Sequence, residues 1–318
     1  MAVETDQVEA FVAIVRRGGF TRAAASLHLS QPAVSRRLDL LEREVGRPLF
    51  DRTRGGATLT EAGRAFLPHA EAVLASMRDG VEAVRALDRP ERGTVTLAMV
   101  GTLAGSRLTD RMQRFRRAYP DVRLALRTAL SREVSALVRR GDAALGLRYF
   151  ADPDPDVVSV PLYEEPLVTL CAPGHRLARA RRLTPPALAG EPWVAFPMRQ
   201  GASGESYARL LAERLAAVGL GDAEIVPIDS LTAQKRLVEA GFGLGLMPES
   251  SVDEELRLGT LRALPVPALR MAVPVMLVHR RRAYLSGAAR AVMALLLEGR
   301  DPKPTRPRQS LTADRTSR

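Results

Sequence analysis

The stretch "SQPAVSRRL", residues 30–38, restricts most what this chain can fold into. Helical patterns lie on both sides of it, separated only by Leu29, Ser30 and Gln31, and Pro32 suits the first turn of the helix that follows, where its missing N–H costs nothing. Upstream, Thr5 can cap a helix whose apolar residues Val8, Phe11, Val12 and Val15 share one face, and Gly18 and Gly19 stop it. Thr21 can cap a short second helix in which Ala23, Ala24 and Ala25 let a neighbour approach closely. The third helix presents Val34, Leu38, Leu41 and Val45 to a core, at spacings of 4, 3 and 4. Such a turn between a small-residue helix and a third helix is the arrangement of a helix-turn-helix.

Opposite that apolar stripe lie Pro32, Arg36, Asp39 and Arg43, with Ser35 on the flank and Gln31 at the leading end. Gln can pair with an adenine edge, Arg with guanine or phosphate, Ser with either, and Pro can touch a thymine methyl. A solvated face of an ordinary amphipathic helix has the same texture, so the combination with the turn carries the reading. Charge alone does not decide it. The net charge is +11, but only Lys235 and Lys303 among the 47 basic residues are lysine, and the first 60 residues hold nine Arg against seven acids. Beyond the third helix, "RTRGGATLT" reads as a β-hairpin wing with Arg52 and Arg54 near its tip.

Taken together, "FTRAAASLHLSQPAVSRRLDLLEREVGRPLF" and "RTRGGATLTEAGRAFLPHAEAVL" closely resemble the N-terminal domain of LysR-type transcriptional regulators. The resemblance implies that the helix opening at Gln31-Pro32 enters the major groove. DNA contacts then fall on Gln31, Pro32, Ser35 and Arg36, with Arg52 and Arg54 meeting phosphate or the minor groove. It also implies a homodimer or homotetramer on an interrupted palindrome of double-stranded DNA, with RNA polymerase a further candidate partner. After Thr60, Phe66, Ala70, Val73, Met77, Val81, Val84 and Leu87 form a narrow seam on one long helix, which needs a partner helix; Pro68 should bend it near its start.

From Thr94 the chain alternates strand and helix patterns, which predicts parallel α/β units. The expected organisation is a winged helix-turn-helix over residues 1–60, a linker helix and hinge over 61–90, two α/β lobes like those of periplasmic binding proteins over 91–300, and a disordered basic tail over 301–318. The fold class is thus α+β and multidomain. With 46% apolar and 26% charged residues, no apolar run long enough to span a bilayer and no basic, apolar leader, the chain is expected in the cytoplasm without membrane attachment. Its one cysteine, Cys171, agrees with a reducing compartment.

A ligand in such a fold sits at the C-terminal ends of strands. The stretches "VGTLAGS", "RTALS" and "FPMRQGASGES" fit, and the family resemblance makes their loops the lining of an effector pocket. Thr102, Thr128, Arg148, Arg199 and Ser203 are the candidate effector residues, with Phe242 at the rim; the two arginines favour a small organic anion. Where the family commonly carries "GELDLAI", this chain has "GDAALGL", so Ala144 replaces a usual Asp and a polar tether in the first lobe is expected to be missing. No catalytic, metal or cofactor constellation emerges: Cys171 and His175 lack further ligands, Ser203 lacks the nucleophile elbow, and "GFGLGLMP" is not G-x-G-x-x-G. The rival reading is an α/β ligand-binding module or enzyme with a fused N-terminal helical domain, which an absence of sequence-specific DNA binding would favour.

Overall fold

The computed structural model describes residues 3–53, 56–88, 93–197 and 207–298 of the 318-residue chain. Helix α1 (Thr5–Arg17) buries Val8, Phe11, Val12 and Ile14. Its capping residue is Glu4, paired reciprocally with Gln7, and Thr5 is already helical. Helix α2 (Phe20–Leu27) likewise begins one residue before Thr21, and it buries Ala23 and Ala24 against its neighbours. The sharp turn is made at His28, which takes a left-handed φ of 56°. Ser30 then accepts a hydrogen bond from the Ala33 N–H at 3.3 Å and starts α3 (Gln31–Val45), with Pro32 in the first turn as expected. Val34, Leu38 and Leu41 of α3 are fully buried.

Strands β1 (Phe50–Thr53) and β2 (Gly56–Leu59) pair antiparallel as the wing. Glu42 on α3 ties this hairpin down by accepting hydrogen bonds from Leu49 N at 2.6 Å and Phe50 N at 3.3 Å. Phe11, Phe50 and Phe66 meet at ring distances of 5.4 and 5.3 Å, joining α1, the wing and the start of α4 (Glu61–Asp88). Thr60 caps α4 through the Gly63 N–H at 3.0 Å, and the helix continues through Pro68.

The remaining chain alternates β3 (Gly93–Met99), α5 (Ser106–Ala118), β4 (Val122–Thr128), α6 (Ser131–Arg139), β5 (Leu145–Tyr149) and the long β6 (Val157–Cys171). There follow β7 (Trp193–Ala195), α7 (Tyr207–Ala217), β8 (Ile225–Pro227), α8 (Leu231–Glu239), β9 (Gly245–Pro248) and α9 (Asp253–Leu258). Last come β10 (Arg262–Leu264), β11 (Met271–Arg280) and α10 (Gly287–Leu297). The expected parallel pairing holds for β3 with β4, β3 with β5 and β7 with β8. It does not hold throughout: β6 and β11 pair antiparallel along nearly their whole length, β11 adds antiparallel to β5, and β9 and β10 flank the end of β6. These two long strands therefore run through both lobes and join them. Among the described residues no helix is long and apolar enough to cross a membrane.

Candidate nucleic-acid interface and effector cleft

Because Val34, Leu38 and Leu41 turn inward, Gln31, Pro32 and Arg36 stand exposed on the far side of α3, with Ser35 half-buried beside them. Gln31 Nε2 donates to Ser35 Oγ at 3.1 Å, one helical turn on, which holds the amide over the face. The neighbouring Arg37 is instead engaged by Asp6 of α1 at 3.1 Å. Arg36 makes no ion pair among the described residues and stands exposed. The backbone of Arg52 pairs with Ala57 across the wing, whereas Arg54 lies outside the described residues.

In the first lobe, Thr102 and Thr128 lie at the ends of neighbouring strands β3 and β4: Thr102 is buried in the turn after β3, and Thr128 stands exposed in register with Met99. Thr102 Oγ1 shares a 2.8 Å hydrogen bond with Tyr149 Oη at the end of β5. Tyr163 projects from β6 nearby, with the Arg107 guanidinium stacked over its ring at 4.3 Å. Glu165, only 1% exposed, accepts a hydrogen bond from the Ser250 N–H at 3.1 Å through Oε1, while its Oε2 has no partner among the described residues. Burial, then the charge of Glu165, raises the Tyr149 phenol well above its ordinary value. Burial and Glu165 push Tyr163 up to about 12, against the opposing pull of Arg107 and Arg111. Both phenols therefore remain neutral donors at neutral pH.

Two expected effector residues lie elsewhere. Arg148 alternates away from Tyr149 on β5, toward α6, where it bonds Ser135 Oγ at 2.7 Å and forms a close ion pair with Asp152. Its charge is thus neutralised inside the lobe. Phe242, 57% exposed, precedes β9 beside Pro192, at the ends of β7 and β9 opposite those that face the cleft. Arg199 and Ser203 lie outside the described residues. Conversely, Tyr149, Tyr163, Glu165, Arg107 and Ser250 were not singled out from the sequence; the alternation of β5 puts Tyr149 on the Leu147 face, which was the available signal for one of them. Cys171 is fully buried, its thiol pushed up to about 11 by burial, and His175 contacts Glu191 at 3.1 Å. No metal-ligand grouping occurs among the described residues.

A winged helix-turn-helix with an exposed polar reading face, carried on a long helix that leads into two lobes joined by paired strands, defines a DNA-binding regulator with a ligand-binding domain. The chain belongs to the LysR family of bacterial transcriptional regulators: residues 5–64 match the bacterial regulatory helix-turn-helix protein, lysR family, and residues 88–301 match the LysR substrate binding domain. It is similar to the HTH-type transcriptional regulator CfxR of Cupriavidus necator, with 32% identity over 308 residues, 93% of this chain and 92% of that one. A full-length OxyR variant from Pseudomonas aeruginosa shares the fold at a TM-score of 0.69 and 20% identity, over 93% of this chain and 94% of the other. Full-length CbnR, solved in complex with its target DNA, aligns at a TM-score of 0.61 with 24% identity, over 93% and 98%. The family is one of regulators and not of enzymes.

Proposed function

We propose that α3 reads operator DNA in the major groove, with Gln31, Pro32, Ser35 and Arg36 at base edges and Arg52 and Arg54 on the backbone. One observation carries this reading: the side of α3 opposite Val34, Leu38 and Leu41 is an exposed polar face in which Ser35 orients Gln31 and Arg36 makes no ion pair among the described residues. Crystallised CbnR with its target DNA supports it by similarity. The seam of α4 pairs two chains, so that two reading helices address an interrupted palindrome. The organisation by residue range is that expected above, and the protein acts in the cytoplasm.

We infer that the cleft takes a small polar effector through Thr102 and Thr128, with Arg199 and Ser203 as further candidates, Tyr149 and Tyr163 as neutral donors and Arg107 as a nearby cation. Arg107 and Arg199 keep an organic anion the favoured class. RNA polymerase is a further partner in transcription. Shift assays and footprints on the DNA beside the gene test the reading. Arg36→Ala is expected to relax sequence preference and weaken specific binding by about 1 to 3 kcal/mol, whereas Arg54→Ala should weaken all sequences alike and reduce the salt slope by about one. Unchanged specificity and affinity in Arg36→Ala would remove α3 from the groove.

A further inference from the structure

Helix α4 has a second face. At ~100° per residue, Glu71, Ala75, Arg78 and Asp79 share one side, nearly opposite the seam of Val73, Met77, Val81 and Val84. That side lies on the first lobe. Asp142, in the turn after α6, accepts hydrogen bonds from Arg78 at 3.2 Å, Arg16 of α1 at 3.4 Å and Arg140 at 2.9 Å. Arg16 also reaches Glu71 at 3.4 Å, and Arg78 donates closely to the Arg140 carbonyl. Farther along, Asp79 takes Arg280 at 2.7 Å and the Tyr284 N–H at 3.2 Å, just past β11. Ala75 is fully buried against Gly141, whose left-handed φ of 67° lets the turn lie close.

We propose that this face of α4 and the turn after α6 form a latch fixing the DNA-reading unit to the first lobe, and that the latch sets which half-site spacing a pair of chains accepts. The contacts join three units: α1 of the reading unit, the linker helix and the lobe. Apart from the Ala75–Gly141 contact they are ionic, and they border an open groove of about 920 Å³ lined in part by Met77, Val81 and Arg85, so the junction rests mainly on a charge network. Such a network can exchange partners without opening a hydrophobic core. Burial works to raise the Asp142 carboxyl, but the surrounding guanidiniums of Arg140, Arg16 and Arg78 override it and hold the carboxyl below its ordinary value, which marks Asp142 as the hub. Helix α6 starts just after Thr128, at the cleft, and ends at this hub, roughly 13 Å away at the usual helical rise. A displacement at the cleft end of α6 therefore reaches the latch through one rigid element.

The spacing consequence rests on the DNA-reading function proposed above; the latch itself does not. Two measurements on the full chain test both. In hydrogen exchange, Asp79→Asn with Asp142→Asn should speed exchange over residues 71–82 at least tenfold while the amides of Val34 to Leu41 stay protected. In selection from a random duplex library, the wild type should enrich paired half-sites at one spacing, and the variant should enrich the same half-site at several. Arg78→Gln, which removes a charge from the exposed side of the same network, gives the same test should the double variant lose its fold. Unchanged exchange over 71–82, or an unchanged single spacing, overturns the proposal. Should the wild type enrich no half-site, the DNA-reading assignment fails instead, and exchange alone decides the latch.

Discussion

Glu42 shows how a single side chain on α3 ties that helix to the wing. Its carboxylate accepts from two successive wing amides, Leu49 and Phe50, and so fixes the hairpin bearing Arg52 relative to the helix bearing Arg36. Glu42→Ala should leave both amides without their partner, lowering stability by about 1 to 3 kcal/mol in chemical denaturation. An unaltered midpoint would show that water replaces the carboxylate fully. Glu42 has the look of any charged residue on a solvated face, and its partners lie beyond a turn, so periodicity could not reveal it. The placement of Gln31, Ser35 and Arg36 away from the buried side of α3 was legible because helical phase puts them there, while their proposed base contacts rest on side-chain chemistry. Arg148 was misplaced for the converse reason: its residue type suited an anion, but strand alternation, which turns Arg148 from Tyr149, had the deciding say.

Among the elements, α4 is the one to which the assembly is assigned under the proposed function. Val73, Met77, Val81, Val84 and Leu87 are 47% to 81% exposed on one chain, a stripe too long and too narrow to be left to water on a helix whose other side is already occupied. Met77→Glu with Val84→Glu should lower the assembled mass in light scattering and reduce operator affinity to that of one half-site; an unchanged mass would exclude the seam from the interface. The spacing that produces this stripe was legible without a structure. The opposite, charged face was not, because its partners Asp142 and Arg280 are supplied by a turn and a strand end far along the chain. Strand β6 was half hidden as well. Pro161 and Pro166 interrupt it, and since proline gives no ladder donor, only the stretch after Pro166 reads as a strand by composition. The strand persists because its length is paired with β11, which supplies the register that a local pattern lacks.

For the molecule as a whole, the decisive junction is the one between the lobes. The alternation of strands and helices announced two α/β units, but not the place where they touch, because Gly105, Glu165 and Ser250 are brought together only by the crossing of β6 and β11. Gly105 lies so close to Ser250 that a Cβ would overlap the Ser250 carbonyl, while the Ser250 amide donates to the buried Glu165. The backbone of Gly105, at φ −83° and ψ −174°, is open to any residue, so a methyl there adds bulk without conformational strain. Gly105→Ala should wedge the junction, stretch the hydrogen bond from Ser250 and leave a buried carboxylate less well satisfied. A loss of about 1 to 3 kcal/mol is expected, by the combined cost of overpacking and a weakened bond to a charged group. Gly101→Ala supplies the control, since a methyl at Gly101 meets nothing within 4 Å. Calorimetry should show the transition of the two-lobed unit lowered in Gly105→Ala and unmoved in Gly101→Ala, with the affinity of either variant for an isolated half-site equal to that of the wild type, because α1 to α3 and the wing keep all their own contacts. Equal transitions for the two variants would mean that the lobes part without cost at Ser250, and the junction would then lose its role as the point about which they are held.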